Sequence, residues 1–133
     1  MAIPALFLSM SMMSAPGAII AKLFDSFNRH DVAALQALYA PNARLTSSDF
    51  CKPRTGADVT RTYGAMFRAF PDIRDHVETI IIERDRAAVR FVSSSRAPGA
   101  DFRLELMTFF RFRGGRIIED DTTFDTGGRA CEE

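Results

Sequence analysis

The sequence predicts an α+β domain in which three N-terminal helices pack on a curved, mainly antiparallel sheet. Up to Pro71 the apolar residues recur at three- and four-residue spacing, which is typical of amphipathic helices. After Pro71 the chain alternates in polarity or is rich in β-branched residues, which is typical of strands. Its 133 residues suffice for one domain. We divide them into an apolar N-terminal arm (1–14), the folded domain (15–126) and a short flexible tail (127–133).

The charge balance excludes some classes of partner. The chain carries 17 Lys+Arg and 17 Asp+Glu, so its formal net charge is zero. A neutral protein has no long-range field to gather polyanions, which argues against sequence-independent binding of nucleic acid or of an anionic membrane. The Arg-rich segment FRFRGGR at 110–116 is therefore interpreted as a solvated hairpin tip. A small, uncharged molecule is the expected partner.

The N-terminal segment bears on the compartment. The first 24 residues have no charge before Lys22, and prolines and serines interrupt their apolar run. A secretory signal needs a basic region ahead of the apolar run, so we expect a cytoplasmic protein. We interpret residues 1–14 as an arm that folds onto the domain or onto a second subunit, and a cleaved signal is the alternative. Cys51 and Cys131 show no CxxC or Cys/His spacing, so we expect free thiols and no metal site.

The helices are bounded by capping residues and prolines. The first is expected from Ser14 to about Asn28. Asp31 caps the second, whose apolar stripe runs from Val32 through Leu35 and Leu38 to Tyr39, and Pro41 stops it. A capping box of Thr55 and Asp58 opens the third, which ends before Pro71. The predicted strands are 43–47, 77–83, 87–94, 102–113 and 116–125, with Gly114-Gly115 as a two-residue hairpin turn.

Three segments of the chain resemble a known family. The segments FDSFNRHDVAALQALYAPNARL, RTGADVTRTYGAMFRAFPDI and FFRFRGGRIIEDDTTFD are similar to SnoaL-like proteins of the nuclear-transport-factor-like superfamily. That superfamily also holds ketosteroid isomerases, polyketide cyclases and limonene-epoxide hydrolases. The resemblance implies a cone-shaped α+β barrel, in which helices close over a bent sheet around a pocket. It also implies that the outer face of the sheet forms a homodimer.

The resemblance places candidate catalytic residues on two strands. Asp125 stands where the superfamily often has an acidic residue at the end of the last strand, and Arg90 fits the arginine of the epoxide hydrolases. The second aspartate of those hydrolases falls on Val92, so their water-activating set is incomplete. The isomerase positions read approximately Leu23, Ser47 and Thr108, which lack the usual groups of that chemistry.

The last strand offers a second carboxylate. Because a strand alternates its faces, Asp121 shares a side with Asp125. Two carboxylates in an apolar cavity repel each other, so one pKa should rise toward neutrality. We therefore predict that Asp125, Asp121 and Arg90 are catalytic. The alternatives are that these acids point to water and that Arg90 forms a surface salt bridge. Asp49 is a weaker candidate base.

The apolar residues of the third helix and the long strand can serve as core, as ligand wall or as both. The predicted ligand-binding residues are Tyr63, Phe67, Phe70, Phe102, Leu104, Leu106, Thr108 and Phe110. His30 and His76 are expected at a loop and at a strand start, outside the site.

Two functions from different classes follow. The first is a cofactor-free enzyme that transfers protons on a small, apolar, oxygenated metabolite, in cyclisation, isomerisation, dehydration or hydrolysis. The second is a non-catalytic module that binds a hydrophobic ligand or dimerises. In that case Val89, Phe91, Met107 and Phe109 would supply the outer face of the sheet.

Overall fold

The computed structural model describes residues 15–133, and the predicted arm of residues 1–14 lies outside them. The three predicted helices are α1 (Ala15–Asn28), α2 (Val32–Leu38) and α3 (Val59–Ala69), the last preceded by a 3-10 turn (Gly56–Asp58). The strands are β1 (Tyr39–Ser47), β2 (Arg54–Thr55), β3 (Arg74–Glu83), β4 (Arg86–Ser95), β5 (Phe102–Arg113) and β6 (Arg116–Thr123). The predicted α+β cone is confirmed.

The strands form one sheet in the order β2-β1-β6-β5-β4-β3. Among the strand pairs within residues 15–133, β1–β6 alone is parallel, so the sheet is mainly antiparallel. The helices cover its concave face through the apolar stripe of α1. That stripe is buried and meets the sheet at the edge-to-face pair of Phe24 and Phe91, whose ring centroids are 5.0 Å apart.

The predicted helix caps form. Asp31 accepts a hydrogen bond from the backbone N–H of Ala34 at 3.0 Å, which satisfies a free donor of the first turn of α2. Thr55 and Asp58 form the expected capping box ahead of α3. Because these caps fix the first residue of α2 and of α3, they also fix which side of each helix faces the sheet.

The second helix ends earlier than predicted. Tyr39 has extended backbone angles (φ −104°, ψ 137°) and begins β1, so it does not continue the helical stripe. Pro41 disfavours the helical conformation of the residue before it, which forces the chain to extend by Ala40. As a result, the Tyr39 side chain is buried between helix and sheet, where it is 2% exposed.

The last strand contains an irregularity that changes its faces. Arg111 pairs with Glu119 but Phe112 pairs with Ile117, which leaves Ile118 as an extra residue in β6. After this bulge, Asp120 lies opposite the inward-facing Phe110. The strand also ends at Thr123, two residues before the predicted end.

A disulfide joins Cys51 in the loop after β1 to Cys131 in the tail. The prediction of free thiols is therefore wrong, because the fold brings together two segments that lie 80 positions apart in sequence. The backbone N–H of Cys51 donates to the carbonyl of Glu132 at 2.9 Å, and that of Glu132 donates to Asp49 at 2.6 Å. The tail, expected to be flexible, is thus attached at Cys131.

The disulfide also bears on the compartment. Disulfides persist in oxidising environments and are rare in the reducing cytosol. The cytoplasmic location stays a prediction, and this bond argues against it. None of the helices between residues 15 and 133 has the length and apolarity needed to cross a membrane.

Reduction of the disulfide should destabilise the fold. The bond closes a loop of about 80 residues, and a loop of this size reduces the unfolded-state entropy by an amount worth roughly 4–5 kcal/mol. We expect dithiothreitol to lower the urea midpoint of the native protein. The variant Cys51→Ser/Cys131→Ser should have the lower midpoint in both buffers. Equal midpoints for the oxidised native protein and this variant would contradict the prediction.

Candidate active site

A cavity of about 630 Å³ lies between the helices and the concave face of the sheet. Seven of the eight predicted ligand-binding residues line it: Tyr63, Phe70, Phe102, Leu104, Leu106, Thr108 and Phe110. Phe67 does not line it, because its ring stacks on His30 with centroids 4.2 Å apart. Contact of the seven with a ligand stays a prediction.

Asp120 is a buried carboxylic acid of the cavity wall. It is 6% exposed, and each of its oxygens accepts a hydrogen bond. The Tyr39 phenol donates to Oδ2 at 2.6 Å and the Thr122 hydroxyl donates to Oδ1 at 3.0 Å. Burial raises the pKa of Asp120 to about 6, although both hydroxyls favour its charged form, and the neighbouring charge of Asp121 adds to the rise.

Further hydroxyls extend this group into a chain. The Tyr63 and Tyr39 oxygens are 3.2 Å apart, and the Thr108 and Thr122 oxygens are 2.7 Å apart. Burial raises the pKa of both phenols above the ordinary value, and the negative charge of Asp120 raises it further. Both phenols therefore stay protonated at neutral pH. Because the single phenol proton of Tyr39 goes to Asp120, the Tyr63 phenol, which lines the cavity, donates to the Tyr39 oxygen.

A second carboxylic acid, Asp75 at the start of β3, lines the same cavity. Burial raises its pKa to about 7, an effect opposed by the hydroxyl of Ser93, which lies opposite on β4. Among residues 15–133 its Oδ1 is buried without a hydrogen-bond partner. The negative charge of Asp75 also raises the pKa of Tyr63, as that of Asp120 does, so both acids act on one phenol.

The structure does not bring together the predicted catalytic residues Asp125, Asp121 and Arg90. Asp125 is exposed at the rim of the cavity, where its Oδ1 accepts a hydrogen bond from the backbone N–H of Gly127 at 2.8 Å. Asp121 is exposed and accepts from the Thr46 hydroxyl at 2.8 Å. The catalytic assignment of both acids is abandoned, because the bulge in β6 places the other face of the strand toward the cavity.

Arg90 lies on the outer face of the sheet. Its side chain is 51% exposed and forms ion pairs with Glu78 at 3.9 Å and with Glu105 at 4.0 Å. The prediction that Arg90 reaches the cavity is wrong, because its neighbours Val89 and Phe91 face inward and a strand alternates its faces. The surface salt bridge that we considered as the alternative is what the structure contains.

The sequence interpretation missed Asp120, Tyr39 and Asp75. One signal for Asp120 was available: it shares strand parity with Phe124, an apolar residue that also lines the cavity. Tyr39 was assigned to a helix and Asp75 preceded the predicted strand. Of the weaker candidates, Asp49 lines the cavity, whereas the Nε2 of His30 lies 2.9 Å from the carbonyl of Ile73, outside it. Residues 15–133 contain no group of three or more His, Cys, Asp or Glu that could hold a metal ion.

Many solved structures share this fold, and they include proteins with a suggested function and proteins of unknown function. Wild-type IdmH from Streptomyces antibioticus, a candidate polyketide cyclase, is 26% identical with a TM-score of 0.74, over 84% of this chain and 93% of that one. An NTF2-like protein of unknown function from Burkholderia pseudomallei is 21% identical with a TM-score of 0.76, over 86% and 94%. The second likeness shows the fold alone. No curated protein matches the chain.

The sequence itself matches one domain family over most of its length. The match to the SnoaL-like domain covers residues 20–120, which span α1 through the buried Asp120 of β6. The cone topology, the enclosed cavity and this match agree with one another. The chain therefore belongs to the SnoaL-like domain family.

Proposed function

We propose that this chain is an enzyme that transfers protons on a small, mainly apolar, oxygenated molecule in the cavity, in a cyclisation or an isomerisation. The observation that carries the proposal is Asp120, a buried carboxyl with a pKa of about 6 in an apolar cavity wall. An acid or base is most effective when its pKa lies near the working pH. The 26% identity to IdmH, a candidate polyketide cyclase, supports this class of reaction.

Asp120 acts as the base in this proposal. With a pKa of about 6 it is mostly ionised at neutral pH, and its hydrogen bonds to Tyr39 and Thr122 fix the carboxylate in one orientation. It takes a proton from a carbon next to a carbonyl group. The C–H electron pair forms a C=C bond, and the carbonyl π electrons move to the oxygen. The resulting enolate is the nucleophile of a ring closure or the intermediate of a double-bond shift.

Tyr63 stabilises the charge that develops on the oxygen. Its phenol stays protonated at neutral pH and lines the cavity, so it can turn from the Tyr39 oxygen and donate its hydrogen bond to the enolate. A donor in a cavity that excludes water is worth far more than the same donor in water. The apolar wall of Phe70, Phe102 and Phe110 holds the carbon skeleton of the ligand and excludes water.

Exchange of a ketone probe with solvent deuterium tests the role of Asp120. The probe 2-tetralone is a bicyclic apolar ketone whose benzylic C–H bonds lie next to the carbonyl. We expect the native protein to accelerate their exchange in deuterium oxide, followed by proton NMR, and Asp120→Asn to lose at least about 100-fold of that acceleration. Asp125→Asn should keep the native rate, because its side chain lies at the exposed rim. Equal losses in the two variants, or no acceleration by the native protein, would refute the proposal.

The pH dependence of this exchange should respond to Tyr39. The base acts only when ionised, so the rate should fall as the pH falls through about 6. The Tyr39 hydrogen bond lowers the pKa of Asp120, and Tyr39→Phe removes it with little change in shape. We expect the midpoint of the pH–rate profile to move upward by about half a unit or more, since a lost hydrogen bond is worth roughly 1 kcal/mol. An unchanged or lower midpoint would contradict the assignment.

A non-catalytic, dimerising module is the second candidate, and the outer face of the sheet favours it. Ile81, Met107 and Phe109 are 64%, 39% and 56% exposed. Ile81 pairs with Ala88, which in turn pairs with Phe109, so Ile81, Ala88 and Phe109 form a row across three strands. Val89 and Phe91, which we expected on this face, are buried inside. We propose that a second copy of the chain covers the row.

A charged residue on the outer face should prevent this dimer. Phe109→Glu places a carboxylate in the centre of the row without touching the cavity. We expect sedimentation velocity at micromolar concentration to show a dimer for the native protein and a monomer for the variant. A native monomer would refute the interface, and a variant dimer would place it elsewhere.

A further inference from the structure

Asp75 is a buried acid that the mechanism above does not use. Asn28 at the end of α1 fixes its backbone, because the side-chain amide donates to the carbonyl of Asp75 at 2.9 Å and accepts from its N–H at 2.8 Å. The side chain lines the cavity beside Ser93. The fold therefore holds this carboxyl at one defined place in the cavity wall.

The carboxyl of Asp75 is poorly satisfied by the protein itself. Its Oδ1 is buried and finds no partner within the described chain, residues 15–133. An unsatisfied buried polar atom costs about 1–3 kcal/mol. Asp120, by contrast, has a hydroxyl partner on each oxygen. If Asp75 served only the fold, its unsatisfied oxygen would destabilise the protein with nothing to compensate. A hydrogen bond from a ligand in the cavity would offset that free-energy cost.

We propose that Asp75 is a second polar contact for the ligand and its proton donor, so that the ligand carries two oxygen functions on one apolar body. This inference rests on the proposed function, since it assumes that the ligand also reaches Asp120. One oxygen lies in the Tyr63 and Asp120 region and the other bonds to Asp75. The negative charges of both acids raise the pKa of Tyr63, so both contacts lie near one phenol of the cavity wall.

The two acids divide the proton transfer between them. Asp120 takes the proton from carbon and becomes the neutral acid. Asp75, in its protonated form, gives its own proton to an oxygen of the ligand that conjugation links to that carbon. One C–H bond breaks and one O–H bond forms, and the electron pair of the C–H bond becomes the new π bond. No net charge builds up in the cavity, because Asp75 becomes a carboxylate as Asp120 loses its charge.

Binding of naphthols tests the two-oxygen ligand directly, because naphthols present an enol hydroxyl on a flat apolar body. The probes are 2-naphthol, with one oxygen, and the 2,3-, 2,6- and 2,7-dihydroxynaphthalenes, with two. We expect the best of the three diols to bind the native protein about tenfold more tightly than 2-naphthol, as measured by isothermal titration calorimetry. In Asp75→Leu this ratio should fall to about one, while the affinity for 2-naphthol is retained.

Two further variants make the outcome decisive. Asp75→Asn keeps hydrogen-bonding capacity but no acidic proton, so it should retain much of the preference for the diol. It should slow the exchange of the C1 protons of 6-acetyl-2-tetralone, whose second carbonyl is conjugated with C1 through the ring, at least tenfold. Asp25→Asn, on the exposed side of α1 and away from the cavity, should match the native protein in both assays. Urea unfolding of each variant verifies that it is folded.

A ratio near one in the native protein, or an unchanged ratio in Asp75→Leu, would overturn the inference and leave the role of Asp120 intact. Failure of all four probes to bind the native protein would overturn the proposed function together with the inference. An unchanged exchange rate of 6-acetyl-2-tetralone in Asp75→Asn would overturn the assignment of Asp75 as proton donor.

Discussion

The hydrogen bond from the Tyr39 phenol to the Asp120 carboxyl joins two segments that lie 81 positions apart, and both side chains are buried. A carboxyl in an apolar interior needs partners, because an unsatisfied one costs several kcal/mol. To reach Asp120, the chain must leave the helical conformation at Leu38 and enter β1 at Tyr39. β1 must then lie beside β6 as the parallel pair of the sheet. The topology that closes the cone is therefore also the one that satisfies this acid.

This hydrogen bond also sets the electrostatics of the cavity. It belongs to a hydrogen-bonded network of four hydroxyls joined by the Asp120 carboxyl. The network runs from Tyr63 through Tyr39 and Asp120 to Thr122 and Thr108. In a low-dielectric interior the hydrogen bonds of such a network polarise one another and hold the side chains in fixed orientations. Asp75 lies outside this network, and one of its oxygens has no partner among the described residues, so the two acids differ in environment. Pairs of acids in different environments can take the separate roles of base and acid.

The local patterns predicted the architecture well but the site poorly, and the reason lies in β6. Helix caps such as Asp31 and the alternation of β5 are local signals, and both appear in the structure. In the segment EDDTTFD, acids and threonines occupy both faces, so periodicity cannot decide which face is buried. The bulge at Ile118 then brings Ile117 and Asp120 to the same side, although simple alternation separates them. The disulfide was equally invisible, because it depends on tertiary proximity of the β1–β2 loop and the tail.

Several contacts connect the rim of the cavity to the rest of the fold. Arg54 on β2 lies over the ring of Phe50 at 3.8 Å, forms an ion pair with Glu132 of the tail at 3.8 Å, and donates to Thr62 of α3 at 3.3 Å. Its side chain is only 18% exposed, so this pair is less weakened by solvent than an ordinary surface ion pair. The disulfide beside it links the same two segments covalently. These contacts restrict the tail before a ligand binds, so less conformational entropy is lost on binding. A rigid rim and an oriented Asp120 belong together, because proton transfer from carbon requires the ligand to sit in one defined pose.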